Sequence, residues 1–160
     1  MLSDLLEGNL TESELLRSLY AWIDERCSAV TARAVCAPGC AHCCRGPVQI
    51  SEAEACLIAE FSGRSFTSNA QSASSPFASL CPLLDAESKM CSVHEARPAA
   101  CRTRFAFDDA ALCAKSTFHQ TYNLANFAED HDAELGRAGV RKTVRALNGG
   151  LRADVRFFFG

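Results

Sequence analysis

The 160-residue sequence contains no run of about 20 apolar residues, the length a helix needs to cross a bilayer. Its first ten residues carry Asp4 and Glu7 but no lysine or arginine, so the basic start of a secretory signal is missing too. We therefore expect a soluble cytoplasmic protein with no membrane partner. A basic excess is absent as well. The formal net charge is −3, and a general nucleic-acid binder is usually basic overall. No Ser/His/Asp set, P-loop or GxGxxG fingerprint is present, and His42, His94, His119 and His131 are scattered. Catalytic activity is left open, and no protein partner is indicated.

Cysteine, by contrast, is abundant: ten residues, four of them in Cys36-Ala37-Pro38-Gly39-Cys40-Ala41-His42-Cys43-Cys44. Cysteine packs as a small hydrophobe, but burial alone gives no reason for these spacings. Proline is excluded from helix interiors and glycine turns the chain freely, so Pro38-Gly39 separates Cys36 from Cys40 by a turn. Cys40, Cys43 and Cys44 then fall at i, i+3 and i+4, one face of a helical turn. A turn running into a helix start converges thiols on one point, as a metal knuckle does. In a reducing compartment clustered thiols point to metal rather than to disulfides.

Cys81, Cys91 and Cys101 complete the expected ligand set. The pattern CxxxCxxCC…CPLL…C-S-V-H-x-x-R-P-x-x-C-R, from Cys36 to about Arg104, resembles the bacterial cysteine-cluster family of YkgJ-like, CxxCxxCC-type zinc- or iron-chelating domains. The resemblance implies metal chelation without implying a reaction. One departure is His94, where the family usually carries an aromatic residue, so His94 is either an extra ligand or a neutral replacement. Flagellin lysine N-methylases, in the wider superfamily, contain a similar cluster in much longer chains.

Seven motif cysteines exceed one tetrahedral zinc site. They suit two metals sharing a bridging thiolate, or one metal with spare thiols. A [4Fe–4S] cluster takes four cysteines and also leaves a remainder. Zinc is the expected metal, in a structural or metal-handling role. Iron or an iron–sulfur cluster with redox or methyl-transfer chemistry is the alternative, and a copper store suits this cysteine arrangement less well. Seven thiolates carry more negative charge than two divalent ions neutralise, which is costly to bury. Arg97 and Arg102, in R-P-x-x-C-R, are therefore expected to donate to the sulfurs. Cys27 and Cys56 fall among apolar neighbours and read as packing residues. Cys113 lies outside the motif and also reads as structural.

The fold expectation is a single domain spanning 1–160. It is mainly α with a small β-hairpin, and is stabilised by metal around the cysteine knuckle at about 36–104. Thr11 with Glu14 and Ser51 with Glu54 make capping boxes, opening helices over 11–35 and from 51 to about Phe61, the second stopped by Gly63. Residues 64–79 read as a surface loop rich in Ser and Ala. Leu80 to His94 reads as the hairpin, turning at Ala86-Glu87-Ser88. Pro98 is suited to starting a short helix that carries Cys101. The segment 116–150 reads as helical. Phe118, Tyr122 and Ala125 lie on one helix, and a second runs from Asp130 or Asp132 to Leu147. Arg137, Arg141 and Arg145 form a stripe on it, read as a solvated face. Phe157-Phe158-Phe159 is expected to dock on the body or at a dimer contact.

Overall fold

The computed structural model describes residues 10–68, 79–115, 120–127, 129–131 and 150–160. Helix α1, Glu12–Arg26, begins with the capping box read from the sequence. Thr11 Oγ1 accepts from the Glu14 amide at 3.3 Å, and the Glu14 carboxylate accepts from the Thr11 amide at 2.9 Å. Its inner face is Leu16, Leu19, Tyr20, Trp22 and Ile23, all buried. The helix ends at Cys27 rather than continuing to residue 35. The next four residues, α2 (Ser28–Thr31), bury no side chain fully and lay only a half-buried Val30 against the first core, which is little packing to extend a regular helix.

Helix α3, Glu52–Ser62, carries the second capping box. Gly63 closes it at φ 70°, a left-handed geometry that costs glycine little. Its Ala53, Ala55, Leu57 and Ile58 are buried, whereas Cys56 is exposed. The apolar neighbours of Cys56 in sequence point inward at the helical period and turn Cys56 outward, correcting its reading as a core residue. Helices α1 and α3 are joined through Glu54, whose buried carboxylate accepts from Tyr20 Oη at 2.9 Å and from the Ala99 amide at 3.0 Å. Around that junction a first core gathers Leu16, Trp22, Ile23, Cys27, Leu57, Phe105 and Phe127, with Phe127 edge-on to Trp22 at 5.3 Å. Cys27 is a packing residue there, as expected.

A second core is closed by the end of the chain. Strand β1, Gln49–Ser51, pairs antiparallel with a late strand, Arg152–Asp154, setting Ile50 opposite Ala153. The short helix Val155–Phe159 follows that late strand directly and buries Phe158 and Phe159 against Ile50, Ile58, Leu83 and Val93. The expected docking of the final phenylalanines on the body is observed.

The hairpin over 80–94 shrinks to a single antiparallel bridge, Leu84 to Cys91. Asp85 organises its turn, accepting from the Ser88 amide at 2.7 Å, while Lys89 adopts φ 57°. The side-chain bond to Asp85 closes a local loop and leaves few residues to extend a ladder. Pro98 caps a four-residue helix, Ala99–Arg102, as anticipated. Strand β2, Phe105–Ala106, then pairs with β3, Thr121–Tyr122; the late strand Arg152–Asp154 is β4. Tyr122 is thus in a strand rather than on a helix with Ala125, which lies in the helical stretch 124–127. Residues 69–78, Phe118, and the arginine stripe with most of its expected helix lie outside the described residues. The described fold is mainly helical with small antiparallel ladders, and none of its helices is long and apolar enough to cross a membrane.

Candidate metal centre

The knuckle is built by backbone geometry. Gly39 takes φ 84°, and the Cys40 amide donates to Ala37 O at 3.0 Å, closing a turn around Pro38-Gly39. His42–Arg45 follows as a 3-10 helix rather than a regular α turn. Cys36 and Cys43 are exposed, and Cys40 and Cys44 are half-buried.

Two other segments are hydrogen-bonded to this loop, and a third, carrying Cys101, lines a cavity with it. The Cys81 amide donates to Cys44 O at 2.9 Å, and Cys91 is bridged to Leu84 close by. The Cys101 amide donates to Pro98 O at 2.9 Å, in the turn of helix that Pro98 starts. The second fastening is Arg156, buried on the C-terminal helix. Its guanidinium donates to Cys44 O at 2.9 Å, Gly46 O at 3.2 Å and Ser79 O at 3.1 Å, and pairs with Asp154 at 2.9 Å. The sequence reading missed Arg156. Its only local trace is the helix-capping Asp154 two positions earlier, because its carbonyl partners lie 77 to 112 residues away in the chain.

The thiols sort around two neighbouring cavities. An inner cavity of about 50 Å³ is lined by Cys43, Cys44, Cys81, Cys91 and Cys101. An outer cavity of about 640 Å³ is lined by Cys36, Cys40, Cys43 and Cys113. Cys113, read from the sequence as structural, therefore stands beside the knuckle. The 3-10 helix Ala110–Lys115 carries it there. Its sole sequence signal was being one more cysteine, since the chain reverses between Cys101 and Cys113 through tertiary contacts. Among the described residues no three Cys, His, Asp or Glu side chains stand close enough, as placed, to hold a metal ion together. Loading would have to draw the sulfurs inward.

Two observations bear on whether a thiophilic metal suits these walls. First, Arg97 lines the inner cavity, and its Nε–H is buried with no hydrogen-bond partner among the described residues. A buried donor without an acceptor is costly, and a thiolate is an acceptor for it. Second, the donors are soft sulfurs with arginines beside them, which favours zinc, iron or copper over calcium or magnesium. The donor chemistry fits.

The electrostatics are uneven. The Cys43 thiol is pulled down to about 6, first by a hydrogen bond from Cys44 and further by the nearby charges of Arg104 and Arg97. Cys44 moves the opposite way, because that bond and its burial hold its proton. Burial also raises Cys81, Cys91 and Cys101. Metal uptake at neutral pH therefore has to displace protons from Cys44, Cys81, Cys91 and Cys101, and most readily meets a thiolate at Cys43.

Arg97 and Arg102, both expected to face the sulfurs, differ in placement. Arg97 is at the inner cavity, and its Nη1 lies 2.8 Å from His94 Nε2. Arg102 is buried elsewhere. It donates to Arg97 O at 2.8 Å, to Glu95 O and to Asp24, and its guanidinium lies 4.3 Å over the Tyr20 ring. Those contacts clamp α1 to the segment 95–102. His94 is exposed, and burial followed by the neighbouring Arg97 and Arg102 charges lowers its pKa, favouring a neutral ring that accepts from Arg97.

Comparison with known proteins agrees with this donor chemistry. No curated protein and no solved structure matches the chain. The family model named CxxCxxCC, described as a putative zinc- or iron-chelating domain, matches residues 35–126, more than half of the chain and including Cys113. The chain therefore belongs to the CxxCxxCC family of zinc- or iron-chelating domains.

Proposed function

We propose that this protein binds zinc through thiolates of Cys36, Cys40, Cys43, Cys44, Cys81, Cys91 and Cys101, in a structural or metal-handling role. The observation that carries the reading is the inner cavity. Five cysteines from three separated segments line it, beside the orphaned Nε–H of Arg97. Such a site serves to join segments: bound zinc would supply a tetrahedral cross-link between the knuckle, the 81–91 loop and the short helix at Cys101. Arg97 and Arg104 line the same cavity and would offset the thiolate charge.

Metal analysis of anaerobically purified protein, together with its ultraviolet–visible spectrum, tests the identity of the metal. Colourless protein containing zinc, with zinc reduced in Cys81→Ser or Cys44→Ser, is the expected result. Absorbance near 400 nm, where zinc thiolates are transparent and iron–sulfur clusters absorb, would replace zinc with an iron–sulfur centre if Cys43→Ser abolished it. Zinc found only after aerobic purification does not discriminate, because zinc can fill thiolates vacated by iron.

A further inference from the structure

The division of the thiols between two cavities carries a sharper statement about the same site, and it rests on the reading that these thiols bind metal. Cys43 is the one cysteine lining both spaces. Assigned to the outer cavity, it completes Cys36, Cys40 and Cys113, and Cys44, Cys81, Cys91 and Cys101 are left for the inner one. Each set then has the four thiolates of a closed tetrahedral centre. We propose that the chain holds two thiolate metal centres, an inner one on Cys44, Cys81, Cys91 and Cys101 and an outer one on Cys36, Cys40, Cys43 and Cys113, and that the outer metal is the exchangeable one.

Access and framing distinguish the centres. The inner cavity is small and walled by Val48, Leu83, Val93 and Val155, all buried in the second core. The outer cavity is more than ten times larger, and two of its four thiols are exposed. A metal leaves a thiolate site by accepting an incoming ligand, so access controls its rate of loss.

The frames differ in the same sense. The inner set is pinned by the Cys81–Cys44 backbone bond and by Arg156 on Cys44 O. The outer set hangs on the Pro38-Gly39 turn, where a Cβ built on Gly39 would meet no atom within 4 Å. That turn can adjust without disturbing either core.

Charge follows the division too. Each tetrathiolate around a divalent ion carries excess negative charge, and each cavity has two arginines. Arg97 and Arg104 line the inner cavity, and Arg45 and Arg104 the outer one. Neither Arg45 nor Arg104 has a carboxylate ion-pair partner among the described residues. Arg104 thus serves both centres.

Zinc itself is the probe. The full-length protein is loaded anaerobically with Zn²⁺ and freed of excess. Bound zinc is counted by elemental analysis, and its release to a chromogenic chelator is followed in time. The expected result is two zinc ions per chain, leaving in two phases of equal amplitude whose rates differ at least about tenfold. Cys113→Ser and Cys36→Ser should each lose the fast phase and keep one slowly released ion. Cys81→Ser should lose the slow phase and keep the fast one. Should Cys81→Ser fail to fold, judged by circular dichroism, the Cys113 and Cys36 variants decide alone, since both residues lie outside the cores.

One zinc per chain that is unaffected by Cys113→Ser would overturn the two-centre assignment while leaving metal binding intact. Two zinc ions released at a single rate would overturn the exchangeable role. Absence of any bound zinc or iron would overturn the metal reading itself, and this inference with it.

Discussion

Arg156 Nη1 lies 2.9 Å from Asp154 Oδ1, and both side chains are almost completely buried. The pair is a junction rather than an isolated ion pair. Asp154 Oδ2 accepts from the Val48 amide at 2.8 Å, while the remaining guanidinium donors reach Cys44 O, Gly46 O and Ser79 O. The carboxylate is thereby joined to the start of β1, and the cation to the end of the knuckle. Removing one partner of such a pair leaves an uncompensated buried charge. Arg156→Ala should lower unfolding free energy by about 3–5 kcal/mol. Chemical denaturation measures it. Arg156→Lys should recover only part, because an ammonium cannot reproduce a planar fork of donors.

Glu54 sets a pH dependence whose sign follows from its burial. Desolvation holds its pKa above the usual carboxylate value of 4.5, despite the amide and hydroxyl donors around it. Across the window between 4.5 and that raised value, the native state binds more protons than the unfolded chain. The Glu54 contribution to stability is therefore complete below that window and declines as pH rises through it. Subtracting the pH–stability curve of Glu54→Gln from that of the natural protein should give a difference that falls with rising pH. A flat difference would show that burial leaves the carboxyl untouched.

His94 should titrate below 6.5, because its ring is partly desolvated and faces Arg97 and Arg102. Its neutral form accepts from Arg97. Here the native state takes up its proton later than the unfolded chain does. The contribution is present above 6.5 and is lost as pH falls through the lowered value. Nuclear magnetic resonance titration of His94 in Arg97→Met should show its pKa moving upward, since a cation has been removed.

Gly39 offers a test of backbone cost in isolation. Its φ is 84° and nothing crowds the position of a Cβ. Gly39→Ala should destabilise the turn by about 1 kcal/mol through left-handed strain alone. Gly39→Asn should cost less, because asparagine tolerates that region. Hydrogen exchange at the Cys40 amide, which closes the turn, reports the difference locally.

Chelation of the loaded protein should loosen the chain unevenly. Residues 36–46 and 81–101 should gain exchange, whereas α1 and α3 should change little. Both helices are held by the first core and by Glu54, which contain no proposed ligand, although α3 also sets Ala55 and Ile58 in the second core. Equal protection across the chain with and without metal would count against coupling between metal and folding.

The sequence alone determined those features governed by neighbours a few residues apart. The two capping boxes, the stop at Gly63, the turn at Pro38-Gly39 and the helix start at Pro98 each depend on side-chain and backbone chemistry within one turn of chain. They were legible for that reason. So was the cysteine motif, because its spacing is itself the signal.

Tertiary structure decided the rest. α1 ends at Cys27 where only a half-buried Val30 of α2 meets the first core, Cys56 faces outward because its neighbours occupy the helical face toward the core, and Tyr122 joins Phe105 in a ladder instead of a helix. Cys113 reaches the outer thiols, and Arg156 reaches the carbonyls of Cys44 and Gly46, only after the chain has folded back. Burial and long-range pairing depend on which surfaces meet. Local propensity carries no record of that meeting, and so the motif cysteines could be named from the sequence while their division between two cavities could not.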